Sequence, residues 1–219
     1  MIGSMMNQKL AFVGDIHGDA TRLRTALADS RLSGRRLVFL GDYVDRGPDS
    51  RNVIEQLLYW KGRRPDWTFL EGNHDAALRG LLDGTTPPAS FIACGGAATV
   101  RSYVDKKPRS ISAMLSAFPA DHRDFLGSLE SYCVAGDIVA SHAGIPCDSA
   151  WSVINGIRVT NPWHLEKMGE TRWHFVFGHY PQAHGRPYVT RRIACLDTGC
   201  GHGGPLTVLL SPEWQFLQF

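Results

Sequence analysis

A chain of 219 residues with 43% hydrophobic and 20% charged side chains suits one compact domain with a sizeable core, and its composition is that of an ordinary globular protein. Its 23 basic and 21 acidic side chains leave a formal net charge of +2, which lacks the concentrated positive surface that holds a polyanion by counterion release, so no nucleic-acid partner is indicated. No apolar run approaches the ~20 residues of a membrane span, so no membrane partner is indicated either.

Met1 to Lys9 has no apolar stretch to serve as a signal-peptide core. Residues 1–8 read as a disordered or cloning-derived extension, with one domain at 9–219. Leu10-Ala11-Phe12-Val13 is a short apolar run that ends in Gly14-Asp15. Residues about 19–31 place Leu23, Ala26 and Leu27 on one helical face with arginines on the other. The run Arg36 to Leu40 ends in Gly41-Asp42, and a second helical pattern over about 50–61 gathers Val53, Ile54, Leu57 and Leu58. Trp67 to Leu70 then runs into Glu71-Gly72-Asn73-His74. Runs this short, rich in β-branched and aromatic residues, predict buried strands. Their alternation with helices predicts βαβ units in a layered α/β domain, whose ligands sit beyond the carboxyl ends of the strands.

The stretch about 76–131 reads as a helical cap punctuated by Pro87-Pro88 and Gly95-Gly96, with short helices at Ile111 to Phe118 and His122 to Leu129. Ile138 to Ala140 leads into Ser141-His142, and Phe175 to Phe177 into Gly178-His179. Further strands are expected at Ile193 to Leu196, Leu206 to Leu210 and Trp214 to Leu217. The five cysteines (Cys94, Cys133, Cys147, Cys195, Cys200) are odd in number and lack CxxC spacing, which argues against a disulfide framework or a thiolate zinc site. They read as small buried hydrophobes in a reducing cytoplasm.

Polar clusters follow five of these runs. In an extended strand end Asp15 and His17 would point the same way and converge on one cation. Asp42 offers two oxygens and can bridge two cations. Asp45 and Arg46, read alone, fit a helix-entry salt bridge as well as a functional role. Asn73 offers a neutral carbonyl oxygen to a hard or borderline ion. His74, the next residue, would point away and be free for proton transfer. His142 and His179 each add an imidazole. His122, His164 and His174 read as surface or structural, His184 and His202 as cleft borders, and Asp197 and Thr198 as shaping a strand end.

The series GDIHG, GDYVDRG, GNHD, SHAG and GH resembles the calcineurin-like metallophosphoesterases, from Gly14 to about Gly204. More narrowly it is similar to the phosphoprotein phosphatase branch, whose pattern is GDxHG, GDxVDRG, GNHE. Gly95 to Thr99 and Leu196 to Cys200 look like segments of small bacterial and phage Ser/Thr phosphatases. The LDTGC and SHAGI stretches also resemble symmetrical bis(5′-nucleosyl)-tetraphosphatases. The resemblance implies a metallophosphoesterase-type β-sandwich flanked by helices (α/β/β/α). It implies that Asp15 and His17 hold one metal, Asp42 bridges, and Asn73, His142 and His179 complete the second. Because His179 is followed by Tyr180-Pro181, there is no GHxH motif and no extra histidine for the first metal.

In that family a bridging hydroxide attacks phosphorus in line. His74 then acts as general acid held by Asp45, with Arg46 and Asn73 on the phosphate. The all-oxygen and nitrogen donor set suits two manganese ions, with iron or zinc also compatible. Two departures pull in opposite directions: Asp75 stands where protein phosphatases carry Glu, and Asp45 where the tetraphosphatases carry Ala. The family's Trp-x-Arg segment is not evident, and Arg158 is the nearest candidate for a second phosphate-binding arginine. The leading expectation is a metal-dependent phosphomonoester hydrolase of the Ser/Thr protein phosphatase kind, acting on a phosphorylated protein or small phosphoester. The alternatives are a symmetrical dinucleoside tetraphosphate hydrolase and a non-enzymatic, metal-binding phospho-recognition scaffold.

Overall fold

The computed structural model describes residues 9–105, 107, 109–145, 163 and 172–219. The N-terminal extension, Arg158, Cys147 and His164 lie outside the described residues. Strand β1 (Leu10–Val13), helix α1 (Ala20–Leu27), strand β2 (Arg36–Phe39), helix α2 (Ser50–Lys61) and strand β3 (Thr68–Phe69) alternate as the apolar periodicity predicts. Both helices start on an aspartate: Asp19 accepts from the Arg22 amide and Asp49 from the Asn52 amide, satisfying N–H groups that have no partner inside the helix.

Helices α3 (Asn73–Leu82), α4 (Pro88–Phe91), α5 (Ala97–Tyr103), α6 (Ile111–Ala117) and α7 (Ala120–Gly127) follow, with a π-helical turn at Ile92–Gly96. Then come β4 (Tyr132–Ala135), β5 (Ile138–Ser141), β6 (His174–Phe177), β7 (Tyr188–Val189), β8 (Ile193–Cys195), β9 (Thr207–Ser211) and β10 (Gln215–Gln218). None of the described helices is long and apolar enough to cross a membrane.

The strands form two five-stranded mixed sheets, β10-β9-β1-β2-β3 and β4-β5-β6-β8-β7. Their parallel cores are β1-β2-β3 and β5-β6-β8, with antiparallel strands at the flanks. Side-chain alternation explains how the layers assemble. Leu10, Phe12, Val38 and Leu40 face Ile138, Ala140, Val176 and Ala194 across the sandwich. The alternate residues Ala11, Val13, Leu37 and Phe39 pack against Leu23, Val53, Ile54, Leu57 and Leu78 of the helices. On the outer face of the second sheet, Val139, Phe175, Phe177 and Ile193 form a third cluster with Trp163, Tyr180 and Tyr188. A mixed α/β domain with two sheets flanked by helices is therefore what the chain builds.

His122 is structural: it is buried, and its Nδ1 lies 2.8 Å from the Tyr103 hydroxyl. Of the described cysteines, Cys133, Cys195 and Cys200 are buried and Cys94 is exposed, all as free thiols.

Candidate metal centre

The loops after β1 and β2 are stitched together by the Ile16 and His17 amides, which both donate to the Asp42 carbonyl (3.1 and 2.8 Å). His17 departs from the extended conformation expected of a strand end, with φ of 45°. Its direction is set instead by its ring, whose Nδ1–H donates to the Val44 carbonyl at 3.0 Å. That bond leaves Nε2 as the lone-pair nitrogen, 3.4 Å from Asp42 Oδ2. Burial, ahead of every charge around it, lowers the His17 pKa to about 4, so the ring is the neutral, ligand-competent form near pH 7. Asp42, Asp45, Arg46 and His179 also take positive φ (54°, 70°, 67° and 66°). Such strained backbone, of order 1–3 kcal/mol each, persists only where surrounding bonds hold it.

Asp42 lies at the middle of the cluster. Its Oδ1 accepts the His74 amide at 3.0 Å and stands 3.5 Å from His142 Nε2, while Oδ2 faces His17. Burial opposes its charge, but His142, His17 and His74 together hold its pKa below the ordinary value. Asn73 Oδ1 stands 3.0 Å from His142 Nε2 and 2.8 Å from His179 Nδ1, and those two nitrogens are 3.2 Å apart. His142 is oriented from behind by its Nδ1–H on the Leu40 carbonyl at 2.9 Å, the arrangement that fixes the tautomer of a metal-binding imidazole. Asp15 accepts the His179 amide on both oxygens, at 3.3 and 3.0 Å. Gly178 is required there, because a Cβ at that position would fall 1.9 Å from Asp15 Oδ1.

Two donor groups emerge that share Asp42: His17, Asp42 and His74 on one side, Asp42, His142 and His179 on the other. In each, the donor atoms lie within 4.8 Å of one another. Burial pushes the Asp15 carboxyl well up, reinforced by the charges of Asp197 and Asp42. Buried carboxylates clustered with imidazole nitrogens are a chemical fit for divalent cations, which supply positive charge to the carboxylates.

The remaining predicted residues lie against this cluster. His74 Nδ1 is 2.8 Å from Asp45 Oδ2, and Asp45 Oδ1 accepts the Thr99 hydroxyl at 2.6 Å. The Arg46 guanidinium bonds the Nε2 atoms of both His17 (3.0 Å) and His74 (3.1 Å). Its own amide reaches the Gly95 carbonyl at 3.4 Å. Gly95 has φ of 106° in the π-helical turn, and a Cβ there would come within 3.2 Å of Arg46 Cγ. The exposed His202 ring borders the site, 6.2 Å from that of His17. Sequence reasoning missed the part played by Thr99 and weighed Asp75 only as a shorter stand-in for the family glutamate; its carboxylate holds the Asp42 and Tyr43 amides at 2.7 and 3.0 Å. The GGAAT segment was the available signal for Thr99.

A family model for calcineurin-like phosphoesterases matches residues 8–208. Among curated relatives, the asymmetrical bis(5′-nucleosyl)-tetraphosphatase PrpE of Halalkalibacterium halodurans is 26% identical over 238 residues, covering 94% of this chain and 91% of its own. A solved structure provisionally named a diadenosine tetraphosphatase superposes with a TM-score of 0.67 at 21% identity, over 98% of this chain and 94% of that one. The cold-active protein-tyrosine phosphatase of a psychrophilic Shewanella species does so with a TM-score of 0.57 at 17% identity, over 96% and 80%. At such identities these two likenesses concern the fold.

Proposed function

The chain belongs to the calcineurin-like phosphoesterase family, hydrolases of phosphoric esters that use divalent metal, and on that premise we propose that it cleaves phosphomonoesters with His74 as general acid. Asp15, His17 and Asp42 would hold one ion, with His74, which stands in the same donor group, kept for proton transfer; Asp42, Asn73, His142 and His179 would hold the other. Manganese suits these oxygen and nitrogen donors best, with iron or zinc also compatible. Such a pair, when bound, supplies a water acidic enough to attack phosphorus near neutral pH and positive charge for the non-bridging oxygens.

The protein's own groups do the rest. Arg46, poised between His17 and His74, turns its planar fork to two phosphate oxygens. Asp45 Oδ2 accepts from His74 Nδ1–H and so aims Nε2 at the leaving oxygen; the ring gives up a proton there from its doubly protonated form, once the Arg46 fork has turned from Nε2 to the phosphate. Thr99 fixes the other oxygen of Asp45.

The observation that carries this reading is the buried His74–Asp45 pair at 2.8 Å. An alkoxide, as released from phosphoserine or phosphothreonine, is a strong base and leaves poorly without a proton. A nucleotide or nitrophenolate leaving group is a weak base and needs none. His74→Asn should therefore lower kcat on a phosphoserine peptide by ~10²- to 10⁴-fold, with a much smaller loss on p-nitrophenyl phosphate. Equal losses on both would remove the general-acid role.

A second reading, hydrolysis of dinucleoside tetraphosphates, is favoured by the activity for which relatives matching nearly the whole chain are named. Turnover of diadenosine tetraphosphate beside the phosphopeptide ranks the two. The products tell the asymmetric cut (ATP and AMP) from the symmetric one (two ADP), and the relatives are named for the asymmetric kind.

A further inference from the structure

One carboxylate beside the cluster has no part in this account. Asp197 follows β8 and is 1% exposed. Its Oδ1 accepts the Gly199 amide at 3.0 Å, but Oδ2 is covered and has no hydrogen-bond partner. The Gln182 amide donates to the Asp197 carbonyl at 2.8 Å, anchoring it beside the loop that carries His179. This segment packs directly on the loop that carries Asp15 and His17: a Cβ on Gly14 would fall 2.5 Å from the Leu196 carbonyl oxygen, and one on Gly201 would fall 2.4 Å from His17 Cβ.

A buried carboxylate oxygen facing neither a donor nor a cation is among the most unfavourable groups a fold can hold. The donors are also unevenly divided. Beyond the shared Asp42, the His142 side draws on Asn73, His142 and His179, and the other side on Asp15 and His17 alone once His74 is kept for proton transfer. We propose that Asp197 is the further anionic donor of the Asp15-side ion, with Oδ2 as the engaged atom. Asp197 is then a positioning and charge-balancing residue of the centre, beyond the strand-shaping role its sequence context suggests.

This inference rests on the two-ion reading above, and the test separates them. Asp197→Asn keeps the shape and the Gly199 bond but removes the charge. Manganese binding by isothermal titration and by electron paramagnetic resonance is compared between wild type and variant, with thermal unfolding in EDTA and in excess manganese. The variant should bind one of the two ions ~10- to 100-fold more weakly, the usual effect of removing a supporting group at a metal site. In EDTA it should melt above wild type, because the unpaired charge is gone; in manganese its advantage should vanish or reverse. A purely structural role predicts the reverse pattern, lower melting in both conditions with unchanged ion affinities, and that result overturns the inference. Wild type binding fewer than two ions overturns the two-ion reading and this inference together. Two ions bound equally well by both proteins overturn the inference alone. Should Asp197→Asn not fold, Asp197→Ser gives the same comparison with a smaller side chain.

Discussion

Asp75 is fully buried at the third position of α3, and its two oxygens accept the main-chain N–H groups of Asp42, Tyr43 and Gly72 at 2.7, 3.0 and 3.0 Å. Its short side chain reaches all three because Gly72 packs directly on Asp42, where a Cβ would fall 2.1 Å from Oδ1. The aspartate that the motif comparison set against a family glutamate therefore works through backbone placement. Asp75→Glu should overpack this pocket and destabilise the protein by about 1–3 kcal/mol in urea unfolding. The ratio of phosphopeptide to diadenosine tetraphosphate turnover should stay the same; a shift toward the phosphopeptide would restore a substrate-selecting role. At this scale the motifs made the members of the candidate site legible, since each cluster closes an apolar run. The direction of His17 was not legible, because a positive φ leaves no mark on side-chain periodicity. Asp197 was passed over because nothing local to LDTGC shows that its second oxygen lacks a partner.

Between elements, the turn joining β9 to β10 is tied to the start of β2 by one residue. Buried Arg35 donates to the Leu10 and Ser211 carbonyls at 3.3 and 3.0 Å and pairs with Glu213 through both Nη atoms, at 3.0 and 2.8 Å. The hydrogen-bonded Arg35 side chain depresses the Glu213 pKa from 4.5 to about 2. A carboxylate with a depressed folded-state pKa adds stability above its unfolded value and loses it as pH falls through the folded one. Glu213→Gln should remove that contribution at neutral pH, and the melting temperatures of the two proteins should converge as pH drops from 4.5 toward 2. A constant gap across that window would mean the ion pair is not the cause. Strands with strong apolar runs were legible at this scale, and β4 and β7 were not. β4 buries only Cys133 among its four residues, and β7 is two residues long, so neither carries a pattern. The π-helical turn that supports Arg46 showed in the sequence only as a glycine pair.

Across the whole molecule, the candidate centre straddles the two sheets. Asp15, Asp42 and Asn73 come from loops and a helix start of the first sheet; His142 and His179 come from loops of the second. The sheets meet elsewhere through apolar contacts such as Leu209 against the opposing layer. Ions held by these residues would act as a polar clamp on layers that the core already joins, so the two contributions should be separable. Saturation at about one hundred times the dissociation constant adds ~2.7 kcal/mol for one site. For a chain of this size that is roughly 5–10 °C in melting temperature between EDTA and excess manganese. Leu209→Ala should cost about 2–5 kcal/mol in both conditions while leaving the manganese-induced rise intact. His179→Ala should do the opposite, sparing the EDTA melting temperature and shrinking the rise. If both variants lowered the two melting temperatures in parallel, the ions would not be clamping the sheets, and the rim and the core would have to be treated as one cooperative unit.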